Sequence, residues 1–286
     1  MRNNPLFGPL VACLLAFGFP SRLHAQTPTC DSLRPERKTV ADAVLRTQHP
    51  YECCDGTIAA CLQERPVCRL ARRLANDVCR RAASGQSQAD IERALVRRAA
   101  SMTTTQRRAV DTSQFEPAGA ATAKVQVVAY VCARCPFCAR LITQLQQSVT
   151  QGGLKDKTRL HIRLFPIRSH SGSTEGGLAL VAAQKLGKFW PFLLHLYRNF
   201  DSFDPARLPD CAERQGMNRD EFIRLYNDAA TRALLTDSKR EGVRNKIDAT
   251  PTILINGKPW TGDLDMPTLQ DAVEEEDDRV NGREHE

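Results

Sequence analysis

Val125-Gln126-Val127-Val128-Ala129-Tyr130-Val131 runs directly into Cys132-Ala133-Arg134-Cys135-Pro136-Phe137-Cys138, and the junction between these two strings decides the fold. The first string is a continuous apolar run rich in β-branched residues, as expected of a strand buried on both faces at the centre of a sheet. The second places a Cys-x-x-Cys pair where that strand delivers the chain to a helix, because Leu141, Ile142 and Leu145 follow at helical spacing before Gly152-Gly153. Pro136 suits the first helical turn, where its missing N–H costs nothing. A helix N-terminus stabilises a thiolate through its dipole and its free backbone N–H groups, and the thiolate is the form of sulfur that attacks a disulfide. The two-residue spacing lets the thiols close a small ring that reopens readily.

Downstream, Leu160-His161-Ile162-Arg163-Leu164-Phe165 alternates as a second strand. Residues 166 to 249 read as several helices, and Thr250-Pro251-Thr252-Ile253-Leu254-Ile255 opens a third strand. Asn256-Gly257 is a strong hairpin turn into Lys258-Pro259-Trp260, and a last helix fits residues 267 to 275. Strand, helix, strand, helical insertion, hairpin and helix describe an α/β thioredoxin fold with an inserted helical subdomain. Pro251, preceded by a β-branched residue at a strand start, is a candidate cis proline that would lay a backbone edge beside the cysteines where a substrate strand can pair. The alternative is an ordinary trans proline at a strand edge.

Three stretches together carry a family resemblance: Val125 to Cys138, Phe165-Pro166 through Gly187-Lys188-Phe189-Trp190, and Ala249 to Lys258. Over roughly half of its length the chain resembles the DsbA-like thioredoxin-fold disulfide oxidoreductases. The resemblance implies that Cys135 is the exposed nucleophile, Cys138 the buried resolving thiol and Pro251 a cis proline facing them, with Thr250 and Phe137 at the substrate side. The sequence departs from the strongest oxidants of the family. Phe137 stands where they carry a histidine that helps hold the thiolate, Ala129 stands where the family often buries a carboxylate, and Thr250 is more like the isomerase and reductase branches. A potential between the thioredoxin end, about −270 mV, and the strongest oxidant end, about −120 mV, is expected.

The 286 residues are 42% hydrophobic and 26% charged, a globular composition, but eleven cysteines are too many for an ordinary reduced cytosolic enzyme. Arg2 and the apolar run Leu6 to Phe19, followed by Ser21-Arg22-Leu23-His24-Ala25, read as a secretory signal, too short to span a bilayer as a mature helix. The expectation is a signal peptide over residues 1 to 25 and a soluble mature protein in the periplasm. The competing string Leu10-Val11-Ala12-Cys13 has the pattern of a lipoprotein site, with anchoring at Cys13. Loss of the signal removes two arginines and no acid, taking the formal charge from +7 to +5.

A Cys- and Arg-rich helical module over residues 26 to 101 is expected next, then a linker over 102 to 123, the thioredoxin domain over 124 to 275 and an acidic disordered tail over 276 to 286. Residues 64 to 108 hold eleven arginines and four acids. These arginines are read as solvated helix faces rather than as a nucleic-acid surface, since an exported protein seldom meets nucleic acid. Ser87 to Asp90 forms a capping box for a helix over 87 to 101, and Pro66 suits the first turn of another that ends at Gly85. On that helix Cys68 and Cys79 share a face but stand roughly 16 Å apart, beyond the disulfide limit near 7 Å, so each must reach another segment. Were the helix to continue back through Cys61, all three would bond to Cys30, Cys53 and Cys54, leaving about six pairings open; a helical hairpin at Pro66 relaxes the limit.

The module also resembles the helical periplasmic domain of CcmH-type cytochrome c maturation proteins, through Ala71, Leu74, the Ala83-Ser84-Gly85-Gln86-Ser87 turn and Ile91, Leu95, Val96 and Arg97. That family uses a Cys-x-x-Cys, whereas Cys53 and Cys54 are adjacent here, so its thioreductase role does not carry over. Cys132 is expected to pair with Cys211 as a structural or regulatory disulfide, or to remain a spare thiol that exchanges with Cys135. An iron–sulfur reading of the Cys132, Cys135, Cys138 spacing lacks its fourth ligand, and a zinc reading lacks a second pair. His161 and His195 are read as packing or surface residues, and Trp190, Phe189 and Phe192 as helical core. The expected function is exported disulfide exchange with protein thiols or disulfides, served by a membrane or soluble redox partner, with no metal and no organic cofactor. A reductase or isomerase serving cytochrome c maturation, and a non-catalytic cysteine-rich binding or chaperone module, are the alternatives.

Overall fold

The structure, a computed structural model, describes residues 30–285; the expected signal peptide and the alternative lipidation site at Cys13 lie outside the described residues. Four helices come first: α1 (Pro35–Thr47), the short α2 (Ile58–Cys61), α3 (Arg69–Ala83) and α4 (Gln88–Thr103). Ser87 caps α4 by accepting the Asp90 N–H. Pro66 does not open α3. The helix starts at Arg69 with Cys68 as its N-cap, because the Cys68 sulfur accepts the Ala71 N–H while bonded to Cys53. The facing apolar residues, Val44, Ile58, Leu74, Val78 and Ile91 among them, form a core of their own. Disulfides Cys30–Cys79, Cys53–Cys68 and Cys54–Cys61 tie these helices together. Although α2 and α3 are separate helices, Cys61, Cys68 and Cys79 each bond to one of Cys30, Cys53 and Cys54. The longest bridge spans 49 residues, a closure that contributes about 4 kcal/mol in the chain-entropy account.

Strands β1 (Ala118–Gly119), β2 (Val125–Val131), β3 (Thr158–Leu164), β4 (Thr252–Ile255) and β5 (Lys258–Pro259) form one sheet in the order β1-β3-β2-β4-β5. The apolar β2 is central, parallel to β3 and antiparallel to β4. Helix α5 (Pro136–Gln151) makes the crossover from β2 to β3. Because Tyr130 pairs with Thr252, the end of β2 that leads into the cysteines lies beside the start of β4, where Thr250-Pro251 enters. Asn256 and Gly257, with φ of 47° and 78°, form the tight turn between β4 and β5.

Helices α6 (Ser173–Lys185), α7 (Phe189–Arg198), α8 (Leu208–Arg214), α9 (Arg219–Tyr226) and α10 (Ala229–Arg244) fill the insertion between β3 and β4. Phe189, Trp190 and Phe192 are buried among them. Gly176 of α6 lies so close to the loop before α5 that a Cβ there would stand 2.6 Å from Ala133 Cβ. The segment expected to be a linker packs against this unit: the Phe115 ring lies 4.8 Å from that of Phe189 at a tilt of 43°, and Ala118–Gly119 add an antiparallel edge to β3.

The last helix, α11 (Met266–Val280), overturns two expectations together. The acidic segment is not a disordered tail, since α11 runs through it with Glu275, Glu276, Asp277 and Asp278 buried. The arginines of α3 and α4 are not all solvated faces. Arg73 bonds Asp271 at 3.2 Å, Glu274 at 3.1 Å and Asp278 at 2.6 Å, and Arg98 holds Asp271 at 2.6 Å and Glu275 at 2.7 Å. Each segment carries the opposite charge that the other needs in order to be buried, so the first helices and α11 pack through an ion-pair network.

Candidate active site

Cys135 is the N-cap of α5 and Cys138 lies in its first turn, so both sulfurs sit where the helix offers unpaired backbone N–H groups. The Cys138 thiol donates a hydrogen bond to the Cys135 sulfur and is the largest influence lowering its pKa. Burial opposes it, and the backbone N–H of Cys138, the Thr250 hydroxyl and the backbone N–H of Phe137 reinforce it, bringing Cys135 down to about 5. Cys138 goes the other way. Burial, then its hydrogen bond to Cys135 and the charge there, hold its thiol far above the ordinary value. Two sulfurs at the start of one helix are thus divided into one that favours the thiolate and one held as a thiol.

The Thr250-Pro251 peptide is cis. While Cys135 is protonated its thiol donates to the Thr250 carbonyl at 3.1 Å. The Thr250 hydroxyl is buried without another partner, which leaves it available to the thiolate. Iodoacetamide reacts with thiolates, so alkylation of Cys135 in the reduced protein is expected to rise about a midpoint near pH 5 rather than near the ordinary thiol value of about 8.5. Thr250→Val should move that midpoint upward; an unmoved midpoint would show that the hydroxyl has no part in holding the charge.

Cys135 is not the exposed nucleophile that the family resemblance implies. It is 1% exposed, with its sulfur against the Thr250 carbonyl, whereas Phe137 beside it is 64% exposed. Phe137, Arg140, Thr250, Pro251, Leu264 and Met266 border a groove of about 490 Å³ next to the cysteines. Leu264, in the segment joining the hairpin to α11, and Met266, at the start of α11, carried no sequence signal, because only the folded chain brings them to Phe137.

The Cys132–Cys211 disulfide expected from sequence is absent, and both are free thiols. They occupy different surroundings. Cys132 is buried at the end of β2 with its sulfur 3.4 Å from His170 Nδ1, while Cys211 on α8 accepts from the Arg214 guanidinium at 3.0 Å. His170 carried no sequence signal, lying 38 residues from Cys132. His161 is buried on β3, where burial lowers its pKa, and His195 stands 3.2 Å from the Gln215 amide. Among the described residues, one set could offer three ligands to a metal ion, Cys54, Cys61 and Glu64, and its two sulfurs are already joined in a disulfide.

A family model described as Thioredoxin matches residues 112–275, more than half of the chain, from ahead of β1 into α11. The chain belongs to the thioredoxin family. Solved structures agree on the fold of this thioredoxin-family chain: BdbD from Bacillus subtilis is 18% identical with a TM-score of 0.53, covering 60% of this chain and 97% of its own. A DsbA1 from Wolbachia pipientis is 15% identical with a TM-score of 0.52, covering 61% and 96%. ScsC from Proteus mirabilis is 18% identical with a TM-score of 0.51, covering 66% and 81%. The fold is therefore the DsbA-like thioredoxin fold. Among curated proteins, a Na(+)/H(+) antiporter NhaA 1 of Mycolicibacterium gilvum is 25% identical over 179 residues, 58% of this chain and 27% of the antiporter. An NhaA 3 of Salinispora tropica is 25% identical over 218 residues, 76% of this chain and 31% of its own length. The chain thus spans about a third or less of the antiporters it matches.

Proposed function

We propose that this protein is an exported thiol-disulfide oxidoreductase that exchanges disulfides with client proteins through Cys135 and Cys138. The observation that carries the reading is the division of the two sulfurs, one held as a thiolate with a pKa of about 5 and the other kept protonated by burial. The Cys135 thiolate attacks a client disulfide, a Cys135–client bond forms, and the displaced client sulfur leaves as a thiolate. Cys138 then gives up its proton and attacks the Cys135 sulfur. The second client thiolate departs, and the Cys135–Cys138 disulfide holds the two electrons' worth of oxidation taken from the client. The reverse sequence oxidises a client dithiol. The backbone at Thr250-Pro251 offers a client strand its pairing edge, and the groove between Phe137 and Leu264 receives apolar side chains.

No organic cofactor enters this chemistry; a membrane or soluble redox partner resets the pair. The signal-like residues 1 to 25 and the three disulfides between Cys30 and Cys79 support delivery to an oxidising space, the periplasm. In this reading residues 26 to 101 are a disulfide-stabilised module appended to a redox domain over 124 to 275. Ion transport is no part of the proposal: the antiporter relatives are matched over 27% to 31% of their length, and no helix among the described residues is long and apolar enough to cross a membrane.

The test is reduction of insulin and oxidation of a dithiol peptide by the full chain, with the potential measured against glutathione. Activity in at least one assay is expected, with a potential between about −270 and about −120 mV, since Phe137 supplies no imidazole to the thiolate. A value near the upper limit would remove that ranking of Phe137. Inactivity in both assays would leave a cysteine-rich binding module as the better reading.

A further inference from the structure

Cys135 stands at the centre of two Cys-x-x-Cys pairs, one on each side, and only the pair with Cys138 has a role in the exchange just described. The backbone N–H of Cys135 donates to the Cys132 carbonyl at 3.2 Å, which closes a turn over residues 132–135. Such a turn holds its first and last Cα atoms within about 7 Å, the range that a disulfide bridges. Tyr197 pins the turn by donating its hydroxyl to the same Cys132 carbonyl at 3.3 Å. The Cys132 sulfur accepts the Arg134 N–H at 3.4 Å and lies 3.4 Å from His170 Nδ1. His170 in turn borders an open cavity of about 460 Å³ with Lys239 and Arg168, so a proton on its ring can leave to solvent.

We propose that Cys132 is a second resolving thiol, assisted by His170, which releases clients from Cys135 by forming a Cys132–Cys135 disulfide. The inference rests on the oxidoreductase reading of Cys135. When Cys135 is joined to a client, the Cys132 proton passes to His170 Nδ1 and the new thiolate attacks the Cys135 sulfur. The Cys132–Cys135 bond forms, the Cys135–client bond breaks, and the client sulfur leaves as a thiolate. The two enzyme thiols are oxidised and the client disulfide is reduced, with no further oxidant. Burial raises the Cys132 pKa first of all, and the charge on Cys135 adds to it. Capture of a client removes the charge on Cys135 and with it the smaller of the two effects that oppose Cys132 ionisation, while the burial stays, which is why the step uses His170 as the acceptor of the proton.

The experiment compares full-length Cys138→Ala with Cys132→Ala/Cys138→Ala, both reduced and then mixed with insulin. Cys138→Ala is expected to hold at least about tenfold less insulin adduct than the double variant, and to yield a Cys132–Cys135 bridged peptide on mass mapping. Cys132→Ser/Cys138→Ala, with its side chain close in size, should trap like the double variant, which separates loss of the thiol from loss of packing. His170→Ala in the Cys138→Ala background should restore part of the adduct. Equal adduct in the Cys138→Ala protein and the double variant, with no bridged peptide, would overturn the role of Cys132 and leave the oxidoreductase reading intact. Absence of any adduct in the double variant would overturn both.

Discussion

Cys135→Ala is expected to lower insulin reduction or dithiol oxidation by more than about a thousandfold, to the level of background thiol exchange. The magnitude follows from the arrangement of the sulfurs. With a pKa of about 5, Cys135 is almost wholly ionised at neutral pH, whereas an ordinary thiol is ionised to only a few per cent. Cys138 cannot stand in for it, because burial keeps its thiol protonated, and Cys132 is buried with its own pKa raised. Cys211 is the remaining free thiol among the described residues and lies on α8 beside Arg214. Residual activity above about a tenth of wild type in a variant with an unchanged thermal midpoint would mean that another sulfur carries the exchange.

The same ionisation links stability to redox state. A thiol whose folded pKa lies below its unfolded value stabilises the native state fully above the unfolded pKa, and the contribution fades as pH falls through the folded pKa. Unfolding of the reduced protein should therefore become harder as pH rises from about 5 toward the ordinary thiol range, while the Cys135–Cys138 disulfide form, having no thiolate, lacks that slope.

Arg98→Met is expected to destabilise the protein by about 3–5 kcal/mol, the cost of leaving buried carboxylates without their cation. Arg98 is 1% exposed and binds Asp271 and Glu275 of α11, while the Tyr51 hydroxyl donates to Glu275 at 2.6 Å from the other side. Burial pushes the Asp271 pKa up, yet Arg98 and Arg73 together pull it below the usual range; truncating Arg98 removes the larger of those two pulls. Arg93, on the same helix but paired with Asp90 at the surface, is the control. Its change to Met should cost less than about 1 kcal/mol, because an exposed pair loses most of its attraction to water and salt. Denaturant midpoints of the two variants give the comparison, and equal losses would mean that the network contributes no more than a surface pair.

That network marks where sequence reading stops. The Arg-rich stretch of α3 and α4 and the acidic stretch of α11 are each charged enough to be read as solvated when taken alone, and nothing local pairs residues as far apart as Arg98 and Glu275. The Cys132–Cys211 pairing failed for a related reason: cysteine arithmetic counts thiols but not where the fold places them, Cys132 just beyond the end of β2 and Cys211 on α8. The thioredoxin order of elements, by contrast, is local information. The run Val125–Val131 is apolar at nearly every position, so both of its faces must be buried, and the helical spacing of Leu141, Ile142 and Leu145 follows at once. The Cys135 and Cys138 pair is visible because its spacing alone puts both sulfurs at the start of one helix, and Asn256-Gly257 announces its turn through its tolerance of positive φ. What the tertiary structure alone decided is each group's surroundings: the cover over Cys135, the His170 beside Cys132, the groove wall at Leu264 and Met266, and the burial of α11 against arginines. Those depend on segments far apart in the chain meeting in space, and burial and charge pairing act through distance in space rather than distance in sequence.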